Sequence, residues 1–120
     1  DPFETGLARF VRMDKPDFIG KSALQERFGR GQSKRLVTLK VDTKRAPAHA
    51  GASVMTDDEV IGTVTSGDWG HRVAMNLAYA FVRPELAGES QKLWIDMCGD
   101  RIRAEVIAPS PYDPEFTRVR

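Results

Sequence analysis

The strongest constraint on this fold lies in the last third of the chain. From Leu93 to Val106, apolar and polar residues alternate on both sides of a Gly99-Asp100 pair. A period of two sends successive side chains to opposite faces of a strand. With Gly99-Asp100 as a two-residue turn, Cys98 faces Arg101, Met97 faces Ile102, Ile95 faces Ala104 and Leu93 faces Val106. One face of the hairpin is then wholly apolar. On the other face Asp96 meets Arg103, an opposite-charge cross-strand pair of roughly 0.2–1 kcal/mol. A one-residue slip would set Arg103 against Met97 and mix the two faces, so the pattern specifies an antiparallel sheet with one buried side.

The same period recurs upstream. Val37, Leu39 and Val41 alternate with Thr38, Lys40 and Asp42. Residues 52–55 and 59–65 read as a hairpin around Asp57-Asp58, and Met75, Leu77, Tyr79 and Phe81 alternate with Asn76, Ala78, Ala80 and Val82. Large-against-small alternation of this kind suits the wall of a small barrel. Ahead of these strands, residues 6–12 alternate roughly and predict a short strand before Pro16 interrupts. Residues 20–28 carry helix formers with Leu24 and Phe28 on one face, and Gly29 and Gly31 are placed to end that helix. The predicted fold is mainly β: a small antiparallel six-stranded barrel or Greek-key sandwich with one short N-terminal helix. Residues 1–33 form a connecting segment with a short strand and helix, and residues 34–120 form the barrel domain.

The chain's 120 residues fit one domain, with a charged fraction of 29% and a net charge of +1. Such a balance gives no argument for nucleic acid or an acidic membrane. Arg30, Lys34, Arg35, Lys40, Lys44 and Arg45 do cluster, but no aromatic platform lies among them to stack bases, and they read as a solvated strand face. Cys98 is the single cysteine, which excludes an intrachain disulfide and fits a cytoplasmic location. The chain opens at Asp1 without an initiator methionine, so it is expected to be a piece of a longer polypeptide.

One stretch has a composition used for chemistry: GTVTSGDWGHR, residues 62–72. Ser66, Asp68 and His71 supply the atoms of a hydrolytic triad, yet three residues within six positions of one turn rarely reach triad geometry. The G-x-S-x-G elbow is missing, and Gly62, Gly67 and Gly70 do not spell a phosphate loop. The glycines are expected to supply positive φ at a sharp strand-to-strand corner, with Asp68 bonding the turn backbone. Trp69 is expected to cover a core edge, with a partner domain or ligand as the alternative it would face. His49 and His71 with Cys98 give no closed zinc spacing, so no metal is assigned. Cys98 beside a hairpin turn reads as a packing residue rather than a nucleophile.

Several stretches taken in order resemble one family. Pro2-Phe3-Glu4-Thr5-Gly6-Leu7, then Met13-Asp14-Lys15-Pro16-Asp17-Phe18-Ile19-Gly20-Lys21-Ser22-Ala23-Leu24, is similar to the family's P-x-E-x-G-L and D-K-x-D-F-I-G-K-x-A-L. Ile61-Gly62-Thr63-Val64-Thr65-Ser66-Gly67 resembles its G-x-V-T-S-G strand end, and Leu77-Ala78-Tyr79-Ala80-Phe81-Val82 its L-A-x-A-Y-V strand. The family is the glycine-cleavage T-protein (aminomethyltransferase) group, including the folate-binding halves of dimethylglycine and sarcosine dehydrogenases. The resemblance implies the last lobe of a three-lobed enzyme that holds tetrahydrofolate in a central opening and passes a one-carbon unit to it. The family's catalytic aspartate lies in the N-terminal part, so this chain is expected to have no activity alone. Its partners would be the remaining lobes of the same polypeptide, with an N-methylated glycine or aminomethyl donor as substrate.

The ending Pro111-Tyr112-Asp113-Pro114, closed by Arg118-Val119-Arg120, resembles the tails of the dehydrogenase branch, in which FAD occupies a separate upstream domain. Gly70-His71 after the T-S-G stretch is similar to that branch as well. Relatives tied to iron-sulfur assembly carry a cysteine motif that Lys15-Pro16-Asp17-Phe18 lacks. A stand-alone aminomethyltransferase, a folate-dependent O- or S-demethylase and a non-catalytic β-barrel binding module are the alternatives. Arg118 is the one residue carried over as a folate contact. Trp69 and His71 are expected to face the other lobes.

Overall fold

The structure is a computed structural model that describes residues 1–118; Val119 and Arg120, the end of the tail motif, lie outside the described residues. Six strands close into an antiparallel barrel: β1 (Arg35–Val41), β2 (Ser53–Met55), β3 (Val60–Gly70), β4 (Met75–Val82), β5 (Lys92–Met97) and β6 (Asp100–Ile107). Around the barrel the order is β1-β4-β3-β2-β5-β6, and β6 returns to β1. The barrel, rather than an open sandwich, is therefore the solution the alternation selects. Helix α1 (Lys21–Arg30) is the single α-helix among the described residues. It ends where glycine permits, with Gly31 at φ 77°.

The inward faces form one core. Val37, Leu39 and Val41 of β1 meet Val64 of β3, Leu93 and Ile95 of β5 and Val106 of β6. Leu39, Val54 and Ile95 are completely buried. Burying such a side chain stabilises a fold by roughly 1.5–3 kcal/mol. The side-chain ion pairs Arg12–Asp14, Arg30–Glu26, Arg83–Glu59 and Lys92–Glu105 are all largely exposed. Such pairs contribute about 0–1 kcal/mol each, so apolar burial dominates.

In β4 the small residues turn inward. Asn76, Ala78, Ala80 and Val82 are buried, while Tyr79 is exposed and Leu77 and Phe81 half-buried on the outside. A six-stranded barrel has a narrow lumen already filled by leucines and valines, so β4 supplies methyl-sized groups. The larger β4 side chains are left on the outer surface.

Four sequence-based expectations are corrected. Residues 6–12 form no strand; Ala8–Phe10 is a 3-10 helix closed by local bonds such as Val11 N–H to Ala8 O at 3.0 Å. A closed barrel has no free edge to receive another strand. The last hairpin turns at Cys98-Gly99, with φ 55° and 93°, rather than at Gly99-Asp100. Two successive positive φ values are the primed turn that matches strand twist, with glycine second. The shift moves every partner by two and preserves the faces. Asp96 accordingly pairs with Arg101, not Arg103, and accepts the Gly99 N–H at 2.9 Å. Arg103 pairs with Trp94 and sets its guanidinium 5.4 Å from the indole centre.

The remaining corrections concern residues 62–70. The strand does not turn after Thr65-Ser66-Gly67: β3 continues to Gly70, and residues 62–72 end it there. A bulge at Thr65 shifts the pairing with β4 between Val64 and Ser66. Its glycines have no positive φ. They are required by close approach: a Cβ on Gly62 would overlap the Phe81 carbonyl oxygen, and one on Gly67 the Ala48 carbonyl oxygen.

Candidate functional site

Where the chain leaves β6 it folds back over the outside of the barrel. Thr38, on the polar-expected face of β1, is buried, and its hydroxyl donates to the Pro109 carbonyl at 3.1 Å. Alternation alone assigns Thr38 to solvent and carries no sign of this cover. Between the returning segment 109–112 and the β3–β4 hairpin runs a groove. One part, about 350 Å³, is lined by Ser66, Asp68, Trp69, Leu77, Tyr79 and Pro111 among others. A second part, about 280 Å³, adjoins it along Gly70, Leu77, Tyr79 and Pro111, and reaches His71, Arg72 and Tyr112. Most of this lining is apolar or aromatic with a few polar groups, the usual character of a small-molecule site.

Ser66, Asp68, Trp69 and His71 lie along the groove, while His49, Cys98 and Arg118 are not in its lining. Trp69 pairs with the buried Asn76 and so lies on the core-facing side at the end of the barrel, yet 37% of it remains exposed. His71 is exposed in the turn joining β3 to β4. Ser66 and Asp68 pair with Tyr79 and Leu77 on the outer face. Asp68 accepts the Trp69 N–H at 2.7 Å. That bond belongs to the backbone, as the sequence reading proposed, and Asp68 holds no histidine among the described residues. The same residues contain no group of three or more His, Cys, Asp or Glu side chains that could hold a metal ion. Cys98 is exposed in its turn rather than packed, which corrects its reading as a packing residue.

The tail brings two arginines to one aromatic ring. Arg72 Nη1 donates to the Tyr112 hydroxyl at 2.8 Å, and its guanidinium carbon lies 5.0 Å from the ring centre. The Arg118 guanidinium carbon lies 5.7 Å from the same centre. The sequence reading missed Arg72, because forty residues separate it from Tyr112 and no local pattern joins them. Both arginines are donors in a planar fork suited to a carboxylate.

Asp113 fixes the end of this tail. Its Oδ1 accepts the Thr117 N–H and hydroxyl, both at 2.9 Å, and its Oδ2 accepts the Arg118 N–H at 2.9 Å. Donation from the Arg118 backbone, followed by the Thr117 bonds, holds the Asp113 carboxyl below its ordinary pKa of 3.8. A lowered carboxyl contributes stability above its unfolded pKa and loses it as pH falls through the lower folded value. NMR shifts of the Thr117 and Arg118 amides should therefore titrate with a midpoint below 3.8. In Asp113→Asn that titration should vanish, and Arg118 should exchange faster at neutral pH. A midpoint at or above the ordinary value would refute this tether.

Residues 34–113 match the family model for the glycine cleavage T-protein C-terminal barrel domain, two thirds of the chain. The chain belongs to the glycine cleavage T-protein family. Within it, the chain is 35% identical over 108 residues to an aminomethyltransferase of Synechococcus elongatus, covering 89% of this chain and 29% of that protein. It is 34% identical over 121 residues to the mitochondrial dimethylglycine dehydrogenase of Rattus norvegicus, covering 100% of this chain and 14% of that one. The crystal structure of glycine cleavage system aminomethyltransferase T from Bartonella henselae superposes with a TM-score of 0.81 at 29% identity, covering 89% of this chain and 30% of that chain. The chain thus spans less than a third of these relatives. No helix among the described residues is long and apolar enough to cross a membrane.

Proposed function

We propose that this chain is the C-terminal lobe of a tetrahydrofolate-dependent one-carbon transfer enzyme of the dimethylglycine or sarcosine dehydrogenase type. The observation that carries the reading is the likeness to dimethylglycine dehydrogenase, which runs through the whole chain, tail included. In such an enzyme FAD on a separate upstream domain oxidises the N-methylated glycine, and the folate half captures the released carbon. The groove residues fit part of tetrahydrofolate. Tyr79 and Leu77 offer apolar surface to its aminobenzoyl ring, while Arg118 and Arg72, both at the Tyr112 ring, offer donors to the glutamyl carboxylates. Trp69 and His71 would then stand at the contact with the neighbouring lobes, completing the opening. The exposed Cys98 suits a reducing compartment such as the cytoplasm.

A stand-alone aminomethyltransferase is the second reading, favoured by the 35% identity to the Synechococcus protein. Both readings place the catalytic aspartate in other lobes. The full reading frame that encodes this chain should consume dimethylglycine, sarcosine or an aminomethyl donor with formation of methylenetetrahydrofolate. The 120-residue chain should not, under the same assay. Folate-dependent turnover by the 120-residue chain would overturn the proposal, and a flavin spectrum from the full protein separates its two branches.

A further inference from the structure

The outer face of β1, β6 and β5 carries two rows of side chains that run across the strands. In one row Lys92, Glu105 and Lys40 are cross-strand neighbours. In the next, Trp94 faces Arg103, and Arg103 adjoins Asp42, whose N–H donates to the Arg103 carbonyl at 2.8 Å. These side chains point away from the core, because the residues alternating with them, such as Leu39, Leu93 and Ala104, are buried. The turn at Asp57 raises one wall. Trp94 Nε1–H donates to Asp57 Oδ1 at 3.2 Å, and Arg101 Nη1 donates to the Asp57 carbonyl at 2.7 Å. The space enclosed is a groove of about 610 Å³, within the range of small-molecule sites. It shares no lining residue with the groove beside Tyr79.

The charges here are not all paired with one another. Lys92 Nζ donates to Glu105 at 2.8 Å. Arg103 and Asp42 are opposite charges side by side, yet they form no ion pair among the described residues. Arg103 leans the other way, with its guanidinium carbon 5.4 Å from the centre of the Trp94 ring. Asp57 fixes that indole, and the indole in turn holds the guanidinium. A guanidinium over an aromatic ring keeps its N–H edge free, and that edge is a fork for a carboxylate. Asp42 is left exposed as an acceptor one strand away. Cross-strand neighbours lie about 4.5–5.5 Å apart at Cβ, so both can reach a carboxylate and an ammonium carried on one carbon. Lys40, Lys92 and Arg103 are balanced by Asp42, Asp57 and Glu105, a lining that favours a ligand of no net charge over a polyanion.

We propose that this groove binds a free α-amino acid as its zwitterion. The Arg103 fork receives the carboxylate, and Asp42 accepts from the ammonium. An apolar side chain lies along Trp94 and the aliphatic stems of Lys40 and Lys92. The site is built by barrel strands and one barrel turn, so it is complete without another lobe and does not rest on the folate reading.

NMR titration of the 120-residue chain with leucine tests this. The Trp94 indole N–H and the amides of residues 92–94 and 103–105 should shift together and saturate. N-acetylleucine lacks the ammonium and leucinamide lacks the carboxylate. Each should bind about ten-fold or more weakly than leucine, one charge-assisted bond being lost. Arg103→Gln should weaken leucine by about ten-fold or more and leave leucinamide unchanged. Asp42→Asn should weaken leucine similarly and leave N-acetylleucine unchanged. Both side chains are exposed, so the variants should keep the parent's amide spectrum in β3 and β4, and the comparison of the three ligands on the parent requires no variant. A leucine titration without saturable shifts, equal affinity for the three ligands, or shifts confined to Tyr79 and Tyr112 overturns the proposal. None of these results bears on folate turnover by the full protein, so the proposed function is judged separately.

Discussion

Gly62→Ala is expected to lower the melting midpoint of the barrel by roughly 10 °C or more, a loss of about 2–4 kcal/mol. Gly62 is in β3 with Val54 of β2 on one side and Val82 of β4 on the other. A methyl group there would overlap the Phe81 carbonyl oxygen and lie 3.0 Å from the Phe81 carbonyl carbon and the Val82 Cα. These are backbone atoms of a paired strand, and they cannot yield without opening the ladder. Gly88→Ala is the matched control, since nothing lies within 4 Å of its added carbon and its φ is not positive. It should change the midpoint by a few degrees at most, upward if the unfolded chain loses freedom. A Gly62→Ala protein as stable as the parent would show that the β3–β4 wall is looser than described.

Gly62 also shows how far the sequence could be read. Alternation located all six strands because a buried face imposes period two wherever one exists. It could not say which face of β4 points inward, because that depends on how full the lumen is. Nor could it separate a glycine that bends the chain from one that lets two backbones approach. The two demands share one composition and differ only in what lies opposite. The Cys98-Gly99 turn makes the same point. Placing glycine second in the turn moves the partners of Asp96 and Arg103 by two while sparing the apolar face, so the core was legible and the charge pairing was not.

The groove was legible only in part. Trp69 and His71 stand out by composition. Thr38, Arg72 and the returning segment 109–112 become neighbours only through the fold, across as many as seventy-one residues between Thr38 and Pro109. The resemblance to the T-protein group reached the right family because its motifs occur in order along the chain. It also singled out Arg118, which the structure leaves exposed with its guanidinium near the Tyr112 ring.

The most direct test of the account compares two ligands in the full reading frame: tetrahydrofolate, and a tetrahydropterin that lacks the aminobenzoylglutamate tail. Arg118 lies beside Tyr112 with Arg72, and its backbone is tied by Asp113. A guanidinium there grips a carboxylate with two parallel hydrogen bonds, whereas lysine keeps the charge and loses the fork. Loss of a charge-assisted bond costs about 1.5–3 kcal/mol, ten-fold or more in Kd. Calorimetric titration of Arg118→Ala should therefore show tetrahydrofolate affinity down by about ten-fold or more, Arg118→Lys in between, and affinity for the tailless pterin the same as in the parent. Tetrahydrofolate affinity unchanged in Arg118→Ala, or an equal loss for both ligands, would contradict a barrel lobe that holds the folate tail.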